Sequence, residues 1–133
     1  MMLKNLPVYR ALTDSIRDNM TLEELIDTFE KMCKLPVGTP DNLLFETGTF
    51  SFFGENMFYF SLVRQFQFAD EDEYVQLHLD IQFPPSIKTT QLKRTTWWET
   101  AEDGFFEEVK NSQAFHCVKN ATIAKIDVDI FET

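Results

Sequence analysis

From Tyr74 to Phe83 apolar and polar residues alternate without a break. Val75, Leu77, Leu79, Ile81 and Phe83 fall on one side of an extended chain, and Gln76, His78, Asp80 and Gln82 on the other. A period of two over this length predicts a half-buried strand. A second strand is predicted from Met57 to Ala69, with Phe58, Phe60, Leu62, Phe66 and Phe68 on one face, and a first from about Leu43 to Phe53. Gly54-Glu55, glycine first, predicts a two-residue type II′ turn between the first two strands. The run Asp70 to Glu73 predicts the turn between the second and third. These turns set Ser51 opposite Phe58, Thr49 opposite Phe60 and Phe45 opposite Arg64. Across the second hairpin they set Phe68 opposite Val75, Phe66 opposite Leu77, Leu62 opposite Ile81 and Gln65 opposite His78. Apolar meeting apolar across that hairpin is what a buried face requires.

The period changes outside this meander. Pro7 opens a helical pattern through Val8, Ala11, Leu12 and Ile16, which ends near Asn19. Thr21-Leu22-Glu23-Glu24 is a capping box, followed by an apolar stripe of Leu22, Leu25, Ile26, Phe29 and Cys33. Pro36, Gly38 and Pro40 stop that helix. After Pro84-Pro85 comes a polar connection, Ser86 to Thr96, and then Trp97-Trp98. Thr100 to Asp103 resembles another cap, opening a helix through Phe105, Phe106 and Val109 to about Asn111. Ala114 to Val118 fits either helix or strand. Ala124 to Phe131 predicts a last strand with Ile126, Val128 and Ile130 inward. The order α-α-β-β-β-α-β predicts an α+β fold: a curved antiparallel β-meander of about four strands, two N-terminal helices and one helix before the last strand. At 133 residues this is expected to be a single domain, 1–133.

Composition changes the picture mainly through charge. Twelve lysines and arginines against 22 acidic residues give a formal net charge of −10. That balance argues against nucleic acid and against an anionic membrane surface, and favours a basic protein partner. No stretch of the sequence is apolar over the length a membrane helix needs. The opening residues, MMLKNLPVYRAL, lack the apolar core of a signal peptide, so the expected compartment is the cytoplasm. Cys33 and Cys117 are then expected to be reduced, buried thiols. Four glycines form no phosphate-binding loop, and two histidines with two cysteines give no metal-ligand spacing. No cofactor and no metal are expected.

Two functional readings follow from the strands. Eight of the fourteen phenylalanines lie between Phe45 and Phe68. Phe50, Phe52, Met57 and Tyr59 fall on the far side of the first hairpin, where an apolar patch suits a protein interface. On this reading the chain is a non-enzymatic, acidic protein-binding module, inhibitor- or immunity-like, acting as a homodimer. The second reading starts from Arg64, placed on the Phe-rich face between Leu62 and Phe66. A buried guanidinium needs an anionic partner. Glu30 of the second helix is one; a small apolar anion in a Phe-lined cavity is another, with Thr47, Thr49, Phe60 and Phe66 around it and Trp97 or Trp98 closing over it. That version describes a small-molecule binder or enzyme. His78 and Asp80, two apart on the opposite face, have the spacing of an oriented base but read more simply as a solvated sheet face. His116-Cys117 reads as a buried thiol beside a half-exposed histidine.

Overall fold

The computed structural model describes residues 14, 16, 19–34, 39–67, 74–84, 95–99 and 104–132. The N-terminal helix expected from Pro7 lies almost wholly outside them. The first described helix, α1, spans Leu22–Cys33. Its capping box forms as the sequence predicts: Glu24 N–H donates to Thr21 Oγ1 and Thr21 N–H to Glu24 Oε1, both at 3.1 Å. Such caps contribute about 1 kcal/mol by satisfying amides that the first helical turn leaves open. The predicted stripe is buried, and Met32 joins it.

Five strands form one antiparallel sheet: β1 (Thr39–Phe52), β2 (Glu55–Gln67), β3 (Tyr74–Phe83), β4 (Thr95–Glu99) and β5 (Lys125–Glu132). The spatial order is β4-β1-β2-β3-β5. The fold is α+β with an antiparallel meander at its centre, as the alternation implies. Strand β4 is an addition: Thr95 to Glu99 pairs along Thr47 to Leu43 on the outer edge of the first hairpin.

The register differs from the expected one by two residues in both hairpins. Phe52 pairs with Glu55, so the first turn is Phe53-Gly54 and not Gly54-Glu55. Both turn residues have positive φ, 51° and 80°. That is the requirement of a type I′ turn, whose twist matches the strands, in place of the expected II′. Thr49 therefore meets Phe58, Thr47 meets Phe60, and Arg64 meets Leu43. Across the second hairpin Phe66 meets Val75, Leu62 meets Leu79, and Val63, not Gln65, meets His78. A shift of two keeps every side chain on its face, so the burial pattern survives it.

Two short helices precede β5. Helix α2 (Phe105–Asn111) starts after Gly104, whose φ of 81° disfavours a side chain there, and so begins later than the expected cap at Thr100. Thr100 to Asp103 lie outside the described residues. Helix α3 (Gln113–Val118) resolves the ambiguous stretch as helix. Ser112 joins the two: its hydroxyl donates to the Val109 carbonyl at 2.6 Å and accepts from Phe115 N–H at 3.1 Å. Helices α1, α2 and α3 bury their apolar sides on one face of the sheet, in one core with Phe45, Phe58, Phe60, Phe66, Leu77, Leu79 and Phe83. Phe29 meets Phe106 at 6.3 Å, and Lys110 of α2 pairs with Asp27 of α1. Ile126, Val128 and Ile130 of β5 pack against the margin of the core and are half-buried.

Candidate functional site

Arg64, Thr47, Phe60 and Phe66 of the expected anion site all lie on the inner face and are buried. Arg64 is 1% exposed, with its guanidinium carbon 5.6 Å from the centroid of the Phe66 ring. That contact is a cation–π arrangement. Glu30, the helix carboxylate considered for it, lies 3.6 Å from Lys34 as an i,i+4 pair. Thr47 is also fully buried, and its hydroxyl has no hydrogen-bond partner among the described residues. Arg64 pairs with Leu43 and Thr47 with Phe60, so their backbone positions are offset by four residues, roughly 13 Å, along the hairpin. Thr49 is exposed. Phe60 has 0% exposure and meets the Phe45 ring edge-on at 4.9 Å. Zero exposure means that not even a water-sized sphere fits against the ring. Trp97 and Trp98 occupy register positions opposite Phe45 and Leu44.

The outer face is less buried than the inner one among the described residues. No described helix covers it, and along β2 and β3 most of its residues are only half-buried where their inner-face neighbours are buried. Two clusters stand out on it. The first is the far side of the first hairpin. Tyr59 lies across Gly48, where a Cβ would come within 2.9 Å of its ring, and its hydroxyl donates to Glu46 at 2.6 Å. Phe50 rests 6.3 Å from the same ring. Phe50, Met57 and Tyr59 are thereby half-buried against one another and the sheet. Phe52 remains 54% exposed, and Phe53 at the turn is 92% exposed.

The second cluster spans β2, β3 and β5. The β3–β5 pairing sets Asp80 opposite Asp127 and His78 opposite Asp129. Ser61 donates to Asp80 at 2.6 Å, and Lys125 lies 3.5 Å from Asp127. The His78 ring meets Phe131, 54% exposed, edge-on at 4.7 Å, and its Nε2 lies 3.0 Å from the side-chain oxygen of Gln76. Gln76 in turn donates to Gln65 at 3.1 Å. Burial lowers the His78 pKa below its ordinary value, against the opposing pull of Asp80 and Asp129. Among the described residues the outer face carries Glu46, Glu55, Asp80, Asp127 and Asp129 against one lysine, Lys125. Like charges set directly opposite destabilise a sheet. The individual outward residues are readable from alternation. Their grouping is not, because it depends on which strand lies beside β3.

Elsewhere the chemistry is sparse. His116 and Cys117 both sit exposed on α3, which corrects the expectation of a buried thiol there; Cys33 is buried as expected. An extended strand would have split the pair between two faces, but a short surface helix leaves both in solvent. Among the described residues no group of three or more histidine, cysteine, aspartate or glutamate side chains is placed to hold a metal. No described helix is long and apolar enough to cross a membrane. A surface cleft of about 340 Å³ lies where the start of α1 meets the segment after α3, lined by residues including Met20, Thr21, Lys119 and Ile123. It contains none of the candidate binding or interface residues. Comparison with protein-family models, with curated proteins and with solved structures yields no match.

Proposed function

We propose that the chain is a non-enzymatic protein-binding module whose outer sheet face receives a basic protein partner. One observation carries this reading: a sheet face with no described helix over it, carrying among the described residues five carboxylates against one lysine and bordered by the exposed rings of Phe52 and Phe131. The Asp80–Asp127 juxtaposition is unfavourable for the free protein and becomes favourable when a cation sits over it. An acidic, inhibitor- or immunity-like role fits this chemistry. A homodimer through the same face would set those carboxylates against a second set, so a basic partner suits it better than a second copy. The alternative of a Phe-lined anion cavity draws less support, since Phe60 and Phe66 are packed in the core with at most 1% exposure.

The test is an amide NMR titration with lysine- and arginine-rich peptides at low salt. Shifts confined to the outward residues of β2, β3 and β5 are expected, weakening as salt rises. Equal shifts at the helix carboxylates Glu23, Glu24, Glu107 and Glu108, or no shifts at all, would remove the assignment.

A further inference from the structure

The turn of the first hairpin presents an aromatic pair outside the core. Ser51 to Asn56 are all exposed, and β2 runs past the end of β3, since Phe58 already pairs with Phe83, the last residue of that strand. The turn therefore stands out from the sheet. At its apex Phe53 is 92% exposed and adopts a φ of 51°, a conformation that asparagine or glycine accepts readily and phenylalanine does not. Phe52 stands edge-on to it with ring centroids 4.5 Å apart, so the two rings form one preformed wedge. A residue that is both solvent-exposed and conformationally disfavoured gains nothing from the folded chain on its own. Buried aromatic anchors are where binding energy concentrates in protein interfaces.

We propose that Phe53, backed by Phe52, is the anchor that inserts into an apolar pocket on a different protein, and that this pocket is rimmed by lysine or arginine. The rim follows from charge: from Asn42 to Gln67 the charged residues are Glu46, Glu55 and Arg64, and Arg64 is buried. Glu55 pairs directly with Phe52, so a carboxylate accompanies the wedge. The same balance disfavours an anionic lipid surface, and a second copy would bring its own carboxylates. This inference rests on the protein-binding reading above and adds the anchor and the form of the partner's site.

The experiment places photoreactive benzoylphenylalanine at position 53 of the full chain, and in a control at the exposed Gln113 of α3, in the cells that naturally make the protein. The cross-linked partner is identified, purified and titrated against wild type, Phe53→Asn and Asp127→Lys. An adduct specific to position 53, a loss of affinity of tenfold or more with Phe53→Asn, and weakening by salt are expected. Phe53→Asn should melt no lower than wild type, which separates lost binding from lost folding. A partner that Asp127→Lys weakens and Phe53→Asn does not would overturn the anchor and leave the outer-face reading standing. A cross-link to a second copy, or no adduct specific to position 53, would overturn the proposal.

Discussion

The two faces of this sheet use phenylalanine in opposite ways. On the inner face Phe58, Phe60, Phe66 and Phe83 are at most 1% exposed and locked among the helices. On the outer face and its turn, Phe52 and Phe131 are each 54% exposed and Phe53 is 92% exposed. Charge divides similarly. Among the described residues the helix layer sets Glu23, Glu24, Asp27, Glu30, Glu107 and Glu108 against four lysines, two of them paired, whereas the outer face sets five carboxylates against Lys125. The lesson is that one layer is arranged for the stability of the chain itself. The other keeps exposed rings and facing aspartates that the packing of the free chain does not account for, the features on which the proposed binding role rests.

The largest test of that contrast is a matched pair of truncations. Phe60→Ala should cost about 3–5 kcal/mol, the lost transfer energy plus a cavity that the packed core cannot fill. Phe131→Ala should stay within about 0.5 kcal/mol, since half of that ring is already in water. Urea denaturation reads both. Equal losses would mean that the outer face is as much a part of the core as the inner one.

Gly48 tests how the outer face is held in shape. A methyl group there meets the Tyr59 ring at 2.9 Å. Gly48→Ala should cost about 1–3 kcal/mol as the ring is displaced and its bond to Glu46 is lost. Adding Tyr59→Ala should return part of that cost in a double-mutant cycle. A Gly48→Ala chain as stable as wild type, with no coupling to Tyr59, would show that the ring moves aside freely.

Phe53→Asn should act in the other direction. It removes the strain of a left-handed phenylalanine and should stabilise the isolated chain by about 1 kcal/mol. Thermal unfolding at neutral pH measures it. A clear loss of stability would show that the ring contributes to the fold after all, which would weaken the contrast between the faces.

What the sequence made legible follows the same physics. Alternation in β3 and the capping box of α1 each express a local rule, and both elements stand where those rules put them, as does Arg64 on the Phe-rich face. The register did not follow, because a shift of two leaves every residue on its face, and the deciding fact was a phenylalanine in a turn position that propensity assigns to asparagine or glycine. Strand β4 was hidden by its length: five residues after a polar connection make a weak pattern. The acidic cluster was half legible. Asp80, Asp127 and Asp129 read as outward from alternation, but their meeting depends on a pairing across more than 40 residues of chain.

That pairing supplies a smaller and sharper test. Asp127→Asn removes one of two carboxylates set directly opposite each other, and should raise stability by about 0.2–1 kcal/mol, with a gain that shrinks as salt rises. The loss of the exposed Lys125 pair offsets little of this, since such pairs contribute little. If the aspartate is retained for a partner, the same substitution that stabilises the chain should weaken cationic binding. A stabilised variant that binds basic peptides as before would leave Asp127 without a role in recognition.

The finest distinction lies at His78, which is half-buried on the outer face. Burial lowers its pKa below the ordinary 6.5 even though Asp80 and Asp129 pull it upward. The unfolded chain therefore takes up a proton before the folded one does. Stability from this group is fully present above about pH 6.5 and is lost as pH falls through that value toward the lower folded pKa. His78→Gln removes the titration while leaving a polar side chain beside Gln76. Between pH 7.5 and 5.5 wild type should lose more thermal stability than His78→Gln, the carboxylates being common to both. A steeper loss in the variant would mean that the aspartates dominate and that His78 is held charged in the fold. The outer face would then carry less negative charge near neutral pH than its carboxylates suggest, and the case for a cationic partner would narrow to Asp80 and Asp127.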